Sequence, residues 1–335
     1  MTQVILLDAA LPQQQAIDVA ASVIRDGGLV AFPTETVYGL GADAMDEKAI
    51  RKLFRAKGRP PDNPLIVHIS GRDMVDSVAT GVSSQGERLI ERFWPGPLTL
   101  VLNRQPEVAA SVSAGLPSVA VRMPANKIAL ALIGSARTPI AAPSANASGR
   151  PSPTTAADVL EDLGGRIDLI LDGGATSIGI ESTVLDLTTE PPMILRPGAI
   201  TLEMLIEIIG RVDQATSGEE LRRSPGTRHR HYSPRARVFL IDHGSPESIE
   251  LICRERLDEG AVGFIGHTRV AIDDDQFFVI EVGSSADDYA RAIYGALREL
   301  DRKGTRAIVV EGISEDGKGA AVMDRLRRAA SEIIE

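Results

Sequence analysis

Across residues 1–210, short apolar runs alternate with stretches whose apolar residues recur every three or four positions, which predicts an α/β arrangement. Gln14–Arg25 reads as a helix, with Ile17, Ala20, Val23 and Ile24 on one face and Gly27 past its end. Leu29–Phe32 reads as a buried strand running into Pro33. Asp46 is placed to cap a helix whose apolar face is Ile50, Leu53 and Phe54 and whose stop is Gly58. Further strands are predicted at Leu65–Ile69, Leu98–Leu102, Val119–Met123, Ile140–Ala142, Ile167–Leu171, Thr183–Leu187 and Met193–Leu195. Further helices are predicted at Gln85–Phe93, Lys127–Ile133, Ala156–Leu163 and Leu202–Ile209. Between Gly210 and Arg235 the periodicity stops and Ser, Gly, Pro and Arg take over, as in a linker. The pattern then restarts with strands Val238–Ile241, Ala261–Ile265 and Ala307–Val310 and helices Pro246–Leu257, Asp287–Leu300 and Ala320–Ile334. Two domains are therefore expected, residues 1–210 and 236–335, joined by 211–235.

Length and composition narrow the class. The chain has 335 residues, 43% apolar and 24% charged, which suits two folded domains and excludes a disordered chain. No stretch approaches the ~18 consecutive apolar residues of a membrane span, and the N-terminus has no basic, signal-like region. A single cysteine, Cys253, allows neither an internal disulfide nor a cysteine-rich zinc site. The expectation is a cytoplasmic protein without a membrane partner. A net charge of −10 argues against non-specific nucleic-acid binding, whose affinity comes from Lys and Arg neutralising phosphates. Two segments depart from that average: Arg51–Arg59 carries five bases and no acid, and Leu221–Arg237 carries six arginines, two histidines and no acid. Each alone is most simply a solvated face; together they suit a small polyanion better than a long one.

Most familiar catalytic signatures are missing: there is no G-x-G-x-x-G after a strand, no H-E-x-x-H and no G-x-S-x-G. Gly312–Gly319 (GISEDGKG) approaches a phosphate loop, but Gly319 stands where Ser or Thr would hold magnesium. His229 and His231 read as a chance pair in a basic linker, and Cys253 as a small core residue. What remains is a set of polar residues at predicted strand ends, where α/β folds place their ligands. Pro33–Gly41 (PTETVYGLG) concentrates hydroxyls, a carboxylate and glycines after a strand. Lys57 and Arg59 follow at a helix end, then Asn63, His68, Ser118, Arg122, Ser144, Asn146, Ser152, the GIEST segment and Arg196. Cations with short hydroxyl and amide donors are what triphosphate binding needs without a Walker loop. Arg122 beside small hydroxyls also suits an amino-acid carboxylate. Singly, each has a plainer reading: Thr36 as turn chemistry, Ser144 as a helix cap, His68 as a satisfied strand histidine.

Together the motifs FPTETVYGLGADA, Lys57-Gly58-Arg59, NPLIVHI, WPGPLTLVL, VAVRMP, APSANASG, ESTVLDL and ILRPGAI resemble the YrdC-like domain of threonylcarbamoyl-AMP synthases. SPGTRHRHYSP and the α/β pattern ending AVMDRLRRAA resemble the longer, two-domain form of that family. The resemblance implies a twisted α/β sheet domain with a basic cavity, followed by a smaller Rossmann-like α/β domain. It implies that L-threonine, bicarbonate and ATP give threonylcarbamoyl-adenylate and pyrophosphate, which a downstream threonylcarbamoyl transferase uses on tRNA next to the anticodon. It implies Lys57 and Arg59 as catalytic residues. ATP contacts fall to Arg59, Asn63, Ser118, Ser144, Ser152, Arg196 and Tyr232, with Lys57 also on the phosphates. Threonine contacts fall to Thr36, His68, Arg122, the backbone at Ala142, and Ser182. Mg²⁺ is expected with ATP, with no organic cofactor and no dedicated protein metal site. Because the apolar face of their helix is complete without them, Lys57 and Arg59 are expected outside the core. The stretch Ser224–Pro234 is expected to close over the nucleotide as a lid, with Tyr232 on the adenine. Two other readings stay open: a double-stranded RNA or ribosome-associated module, against which the net charge speaks, and a carbamoyl-phosphate-using module. The latter sits in longer chains with zinc-finger cysteines, which this chain lacks.

Overall fold

A computed structural model describes residues 1–216, 220 and 232–334. The chain divides into two compact units. The first holds Met1–Ser148, Ser152–Ser177 and the described residues of 181–220; the second holds Gly149–Pro151, Ile178–Ile180 and 232–334.

The first unit begins with β1 (Gln3–Leu6), α1 (Gln14–Arg25), β2 (Val30–Phe32), β3 (Gly39–Asp43), α2 (Glu47–Lys57) and β4 (Ile66–His68). It continues through α3 (Val75–Val78), β5 (Ala79–Thr80), α4 (Ser84–Phe93), β6 (Leu98–Arg104), β7 (Ser118–Arg122) and α5 (Lys127–Ala136). It closes with β8 (Ile140–Ala141), α6 (Ala156–Leu163), β9 (Leu169–Asp172), β10 (Thr183–Asp186), β11 (Met193–Arg196), α7 (Leu202–Ile209) and β12 (Asp213–Gln214). The strands form one mixed sheet in the order β1-β9-β2-β3-β8-β4-β7-β6-β10-β11-β12, with β5 on β6. Apolar side chains cover both faces. Leu29, Leu40, Leu53, Val67, Leu100 and Val121 belong to one cluster, and Ile17, Ile24, Phe32, Ile128 and Leu132 to another.

Local chemistry explains the helices. The Asp46 carboxylate accepts the Lys48 N–H at the start of α2, and Gly58 in left-handed conformation (φ 64°) ends it. The N–H of Arg59 reaches back to Phe54 O and that of Gly58 to Arg55 O, so the chain reverses immediately after Lys57. Thr155 and Asp158 form a reciprocal capping box on α6.

The largest departure from expectation is β3, which occupies part of what reads as a loop. Its glycines hide it, since glycine disfavours strands, yet the sheet needs them there. A Cβ on Gly41 would lie 2.8 Å from both Ile140 Cγ2 and Phe32 Cε1. Strands β1, β5 and β12 are also additions, β12 lying in the segment that reads as linker.

The second unit contains β13 (Arg237–Ile241), α8 (Pro246–Leu257), β14 (Val262–Gly266), β15 (Phe277–Glu281), α9 (Ala286–Arg302), β16 (Ala307–Glu311), α10 (Gly319–Ala329) and β17 (Glu332–Ile334). All its strand pairs are parallel, in the order β15-β14-β16-β13-β17, the Rossmann-like arrangement expected. The helix expected over Ala320–Ile334 stops at Ala329, and Glu332–Ile334 pairs instead with Phe239–Ile241. Two β-branched isoleucines beside an open sheet edge favour the strand. In the GISEDGKG turn, Lys318 Nζ lies 2.6 Å from Asp287 Oδ1, an ion pair that accounts for the lysine without a nucleotide.

Candidate active site

The centre of the first unit is built on register. His68 and Arg122 are paired across the parallel strands β4 and β7. The Arg122 side chain is buried; its Nε donates to Gly96 O at 3.1 Å and its Nη1 to Thr36 Oγ1 at 3.0 Å. Thr36 comes from the turn between β2 and β3, which its neighbour Thr34 stabilises. Thr34 Oγ1 lies 2.8 Å from Thr36 Oγ1, accepts the N–H groups of Thr36 and Val37, and donates to Val37 O at 2.7 Å. Arg122 Nη2 lies 2.6 Å from Glu35 Oε1 in the same turn. Burial, reinforced by the Arg122 charge, lowers the His68 pKa to about 3, so the imidazole is neutral. Phe32 meets it edge-on, ring centroids 6.2 Å apart.

A second cluster joins the end of α2 to the segment after β8. Lys57 Nζ donates to Ser144 O at 2.5 Å and to the Asn146 backbone oxygen, and the Ser148 N–H donates to Lys57 O at 2.9 Å. Ser144 Oγ in turn donates to Asn146 Oδ1 at 2.6 Å. Ala142, the first residue after β8, spends its N–H on Ile66 O. Contrary to expectation, Lys57 and Arg59 are buried. They are 3% and 8% exposed, because the reversal at Gly58 turns both inward. Arg59 Nη2 donates to Pro64 O at 2.8 Å and its Nε to Asn63 O at 3.2 Å, which folds the Arg59–Pro64 loop on itself.

Arg196, at the end of β11, donates through Nε and Nη2 to Ser182 O and through Nη2 to Ser182 Oγ. Ser182 Oγ lies 2.8 Å from Thr99 Oγ1, and Ser152 Oγ donates to Glu181 Oε1 at 2.5 Å. Ser118 is buried at the other end of β7 from Arg122, on the same face, about 13 Å along the strand at ~3.3 Å per residue. Three contacts thus unite Thr36 with Arg122, Lys57 with Ser144, and Ser182 with Arg196, while Ser118 stands apart. Thr99 escaped the sequence reading because a threonine inside an apolar strand carries no local signal; Glu35 and Glu181 sit inside the quoted motifs without a role.

Tyr232 belongs to the second unit. It is 4% exposed, its ring stacks on Tyr294 with centroids 5.3 Å apart, and the Arg325 guanidinium lies 5.8 Å from its centroid. His229, His231 and most of SPGTRHRHYSP lie outside the described residues. Among the described residues no group of three or more His, Cys, Asp and Glu is arranged to hold a metal, and no helix is long and apolar enough to cross a membrane.

A mixed sheet with buried cations after its strands, followed by a parallel α/β unit, defines a class of two-domain proteins. The Sua5_yciO_yrdC family profile, described as "Telomere recombination", matches residues 22–198, and a profile described as "Threonylcarbamoyl-AMP synthase, C-terminal domain" matches 200–331. The chain belongs to the threonylcarbamoyl-AMP synthase family, a family of enzymes. It is 47% identical to the threonylcarbamoyl-AMP synthase of Pyrococcus abyssi over 95% of each chain. It is 44% identical to that of Bacillus subtilis over 93% of this chain and 92% of the relative. The crystal structure of P. abyssi Sua5 complexed with L-threonine superposes with a TM-score of 0.94 over 100% of both chains, at 44% identity.

Proposed function

We propose that the chain condenses L-threonine, bicarbonate and ATP to threonylcarbamoyl-AMP and pyrophosphate, the activated carbamoyl donor for a downstream transferase acting on tRNA. The observation that carries this reading is four buried cations, Lys57, Arg59, Arg122 and Arg196, in the first unit. Guanidinium and ammonium groups held in place inside the fold are suited to a set of anionic reactants. The threonine nitrogen and bicarbonate join as a carbamate, whose oxygen must attack the α-phosphorus. Both partners are then anionic, so charge neutralisation and in-line positioning are the main requirements.

Lys57, Arg59 and Arg196 take the ATP phosphates, with Asn63, Ser118, Ser144 and Ser152 as polar ATP contacts. Arg122 takes the threonine carboxylate, while Thr36, His68, Ser182 and the backbone at Ala142 hold the rest of the amino acid. The Ala142 N–H is already given to Ile66 O, so its carbonyl is the group to meet the ligand. Mg²⁺ enters on the triphosphate oxygens, its ordinary habit, as part of the ATP substrate. Residues 1–210 form the catalytic domain and 236–335 the second domain, joined by 211–235, with Tyr232 as a further ATP contact. Incubation with ATP, bicarbonate and threonine, scored for threonylcarbamoyl-AMP by mass spectrometry, tests the activity; pyrophosphate release without the adduct, or no release, overturns it. A chain ending at Gly210 should lose most of that synthesis.

A further inference from the structure

In the interior of the first unit, three adjacent residues hold polar atoms with no hydrogen-bond partner among the described residues: both carboxylate oxygens of Glu35, Nη2 of Arg122 and Nδ1 of His68. All are cut off from solvent; the Glu35 side chain is 10% exposed and that of Arg122 4%. The Glu35–Arg122 pair, at 2.6 Å, is an ion pair without hydrogen-bond geometry. Such groups cost stability in an otherwise satisfied interior and mark a place where something else is meant to bind. Their chemistry is specific: an anionic acceptor, a cationic donor and a neutral imidazole nitrogen. Threonine carries the three counterparts, an ammonium, a carboxylate and a hydroxyl.

We propose that Glu35 receives the α-ammonium of threonine, forming with Arg122 a two-charge clamp for the zwitterionic amino acid, and then takes a proton from the bound ammonium. The inference rests on the reading of this site as a threonine subsite. The turn is built to hold the carboxylate still. Arg122 Nη1 donates to Thr36, Thr36 to Thr34, and Thr34 to Val37 O, a chain that fixes the residues on both sides of Glu35. Arg122 retains donors for a substrate carboxylate, since its five N–H groups exceed the two hydrogen bonds it makes to the described residues. When the zwitterion enters, its carboxylate takes Arg122 and its ammonium takes Glu35.

An ammonium has no lone pair, so one proton must leave before the nitrogen reacts. Glu35 accepts that proton and becomes the neutral acid. The freed nitrogen then forms a bond to the bicarbonate carbon, the carbon–hydroxyl bond breaks, and a second nitrogen proton leaves with the hydroxide as water. The product is the carbamate, and Glu35 later returns its proton to solvent.

The test is calorimetric titration of the full chain with L-threonine and with 3-hydroxybutyrate, which lacks only the ammonium. The unaltered protein should bind threonine at least tenfold more tightly than the analogue. Glu35→Gln should bind threonine at least tenfold more weakly, leave the analogue unchanged or tighter, and so close the gap. Unchanged threonine affinity overturns the proposal. Tighter threonine binding overturns it too, because Glu35 would then only stand in for the substrate carboxylate on Arg122. Failure of the unaltered protein to bind threonine overturns the amino-acid subsite itself, a distinct result. Should Glu35→Gln not fold, Glu35→Asp keeps the charge and must keep the preference for threonine over the analogue; loss of that preference by less than twofold supports the proposal and its abolition overturns it. The proton-accepting role has its own readout. At saturating threonine, the single-turnover deficit of Glu35→Gln should shrink as pH rises and the amine arrives unprotonated; a deficit independent of pH overturns that role.

Discussion

His68 and Arg122 are register partners on adjacent parallel strands, and the arginine's charge adds to burial in keeping the imidazole neutral. Because the pKa is lowered to about 3 from an ordinary value near 6.5, the unfolded chain binds a proton below pH 6.5 that the folded chain refuses. His68 therefore contributes stability that is complete above pH 6.5 and is lost as pH falls from there towards 3. The His68 ring resonances in an NMR titration should stay in the neutral position down to about pH 4. Titration near pH 6.5 would contradict the burial and the register.

Arg122→Ala should weaken threonine binding far more than ATP binding. Loss of a charge-assisted pair costs on the order of 2–5 kcal/mol, and the variant also strands Glu35 in the interior. Calorimetry with threonine and with a non-hydrolysable ATP analogue separates the two ligands. Equal losses would place this arginine elsewhere.

Lys57→Ala should reduce both stability and turnover. The ammonium holds the backbone oxygens of Ser144 and Asn146, so truncation leaves buried acceptors unpaired at about 1–3 kcal/mol. Thermal melting and adenylate synthesis are the two readouts. An unchanged melting temperature with lost activity would mean that the lysine serves only the ligand.

Gly58→Ala tests the reversal that turns Lys57 and Arg59 inward. Space is open around a Cβ there, so the cost is the left-handed backbone alone, about 1–2 kcal/mol. Denaturant unfolding should show that loss, and affinity for ATP should fall with it if the turn positions both cations.

Cys253 is fully buried in α8, and burial pushes its thiol up to about 12. Maleimide should leave it unmodified under native conditions and label it on unfolding. Rapid native labelling would contradict the packing of the second unit.

Much of this protein was legible in the order of its residues. The helices Gln14–Arg25, Ala156–Leu163, Leu202–Ile209 and Pro246–Leu257 coincide with their apolar periodicity because that periodicity is what drives an amphipathic face against a sheet. Asp46 and Gly58 bound α2 through bonds that span only a few residues, so nothing distant had to be known. Other features depend on partners remote in sequence. Gly39–Asp43 is a strand because β2 and β8 pair with it on either side, with glycine at 41 where Ile140 and Phe32 leave no room for a Cβ, and Glu332–Ile334 is a strand because β13 offers an edge. The burial of Lys57 was decided by oxygens 87 and 89 residues away, and the neutrality of His68 by its own burial in the assembled sheet, reinforced by an arginine that only the β4–β7 register brings alongside. Glu35 reads in sequence as one more polar residue of a turn; its isolation against Arg122 exists only once β2, β3 and β7 are assembled. Short-range bonding and periodicity write themselves into sequence, whereas desolvation and charge proximity belong to the tertiary packing that creates them.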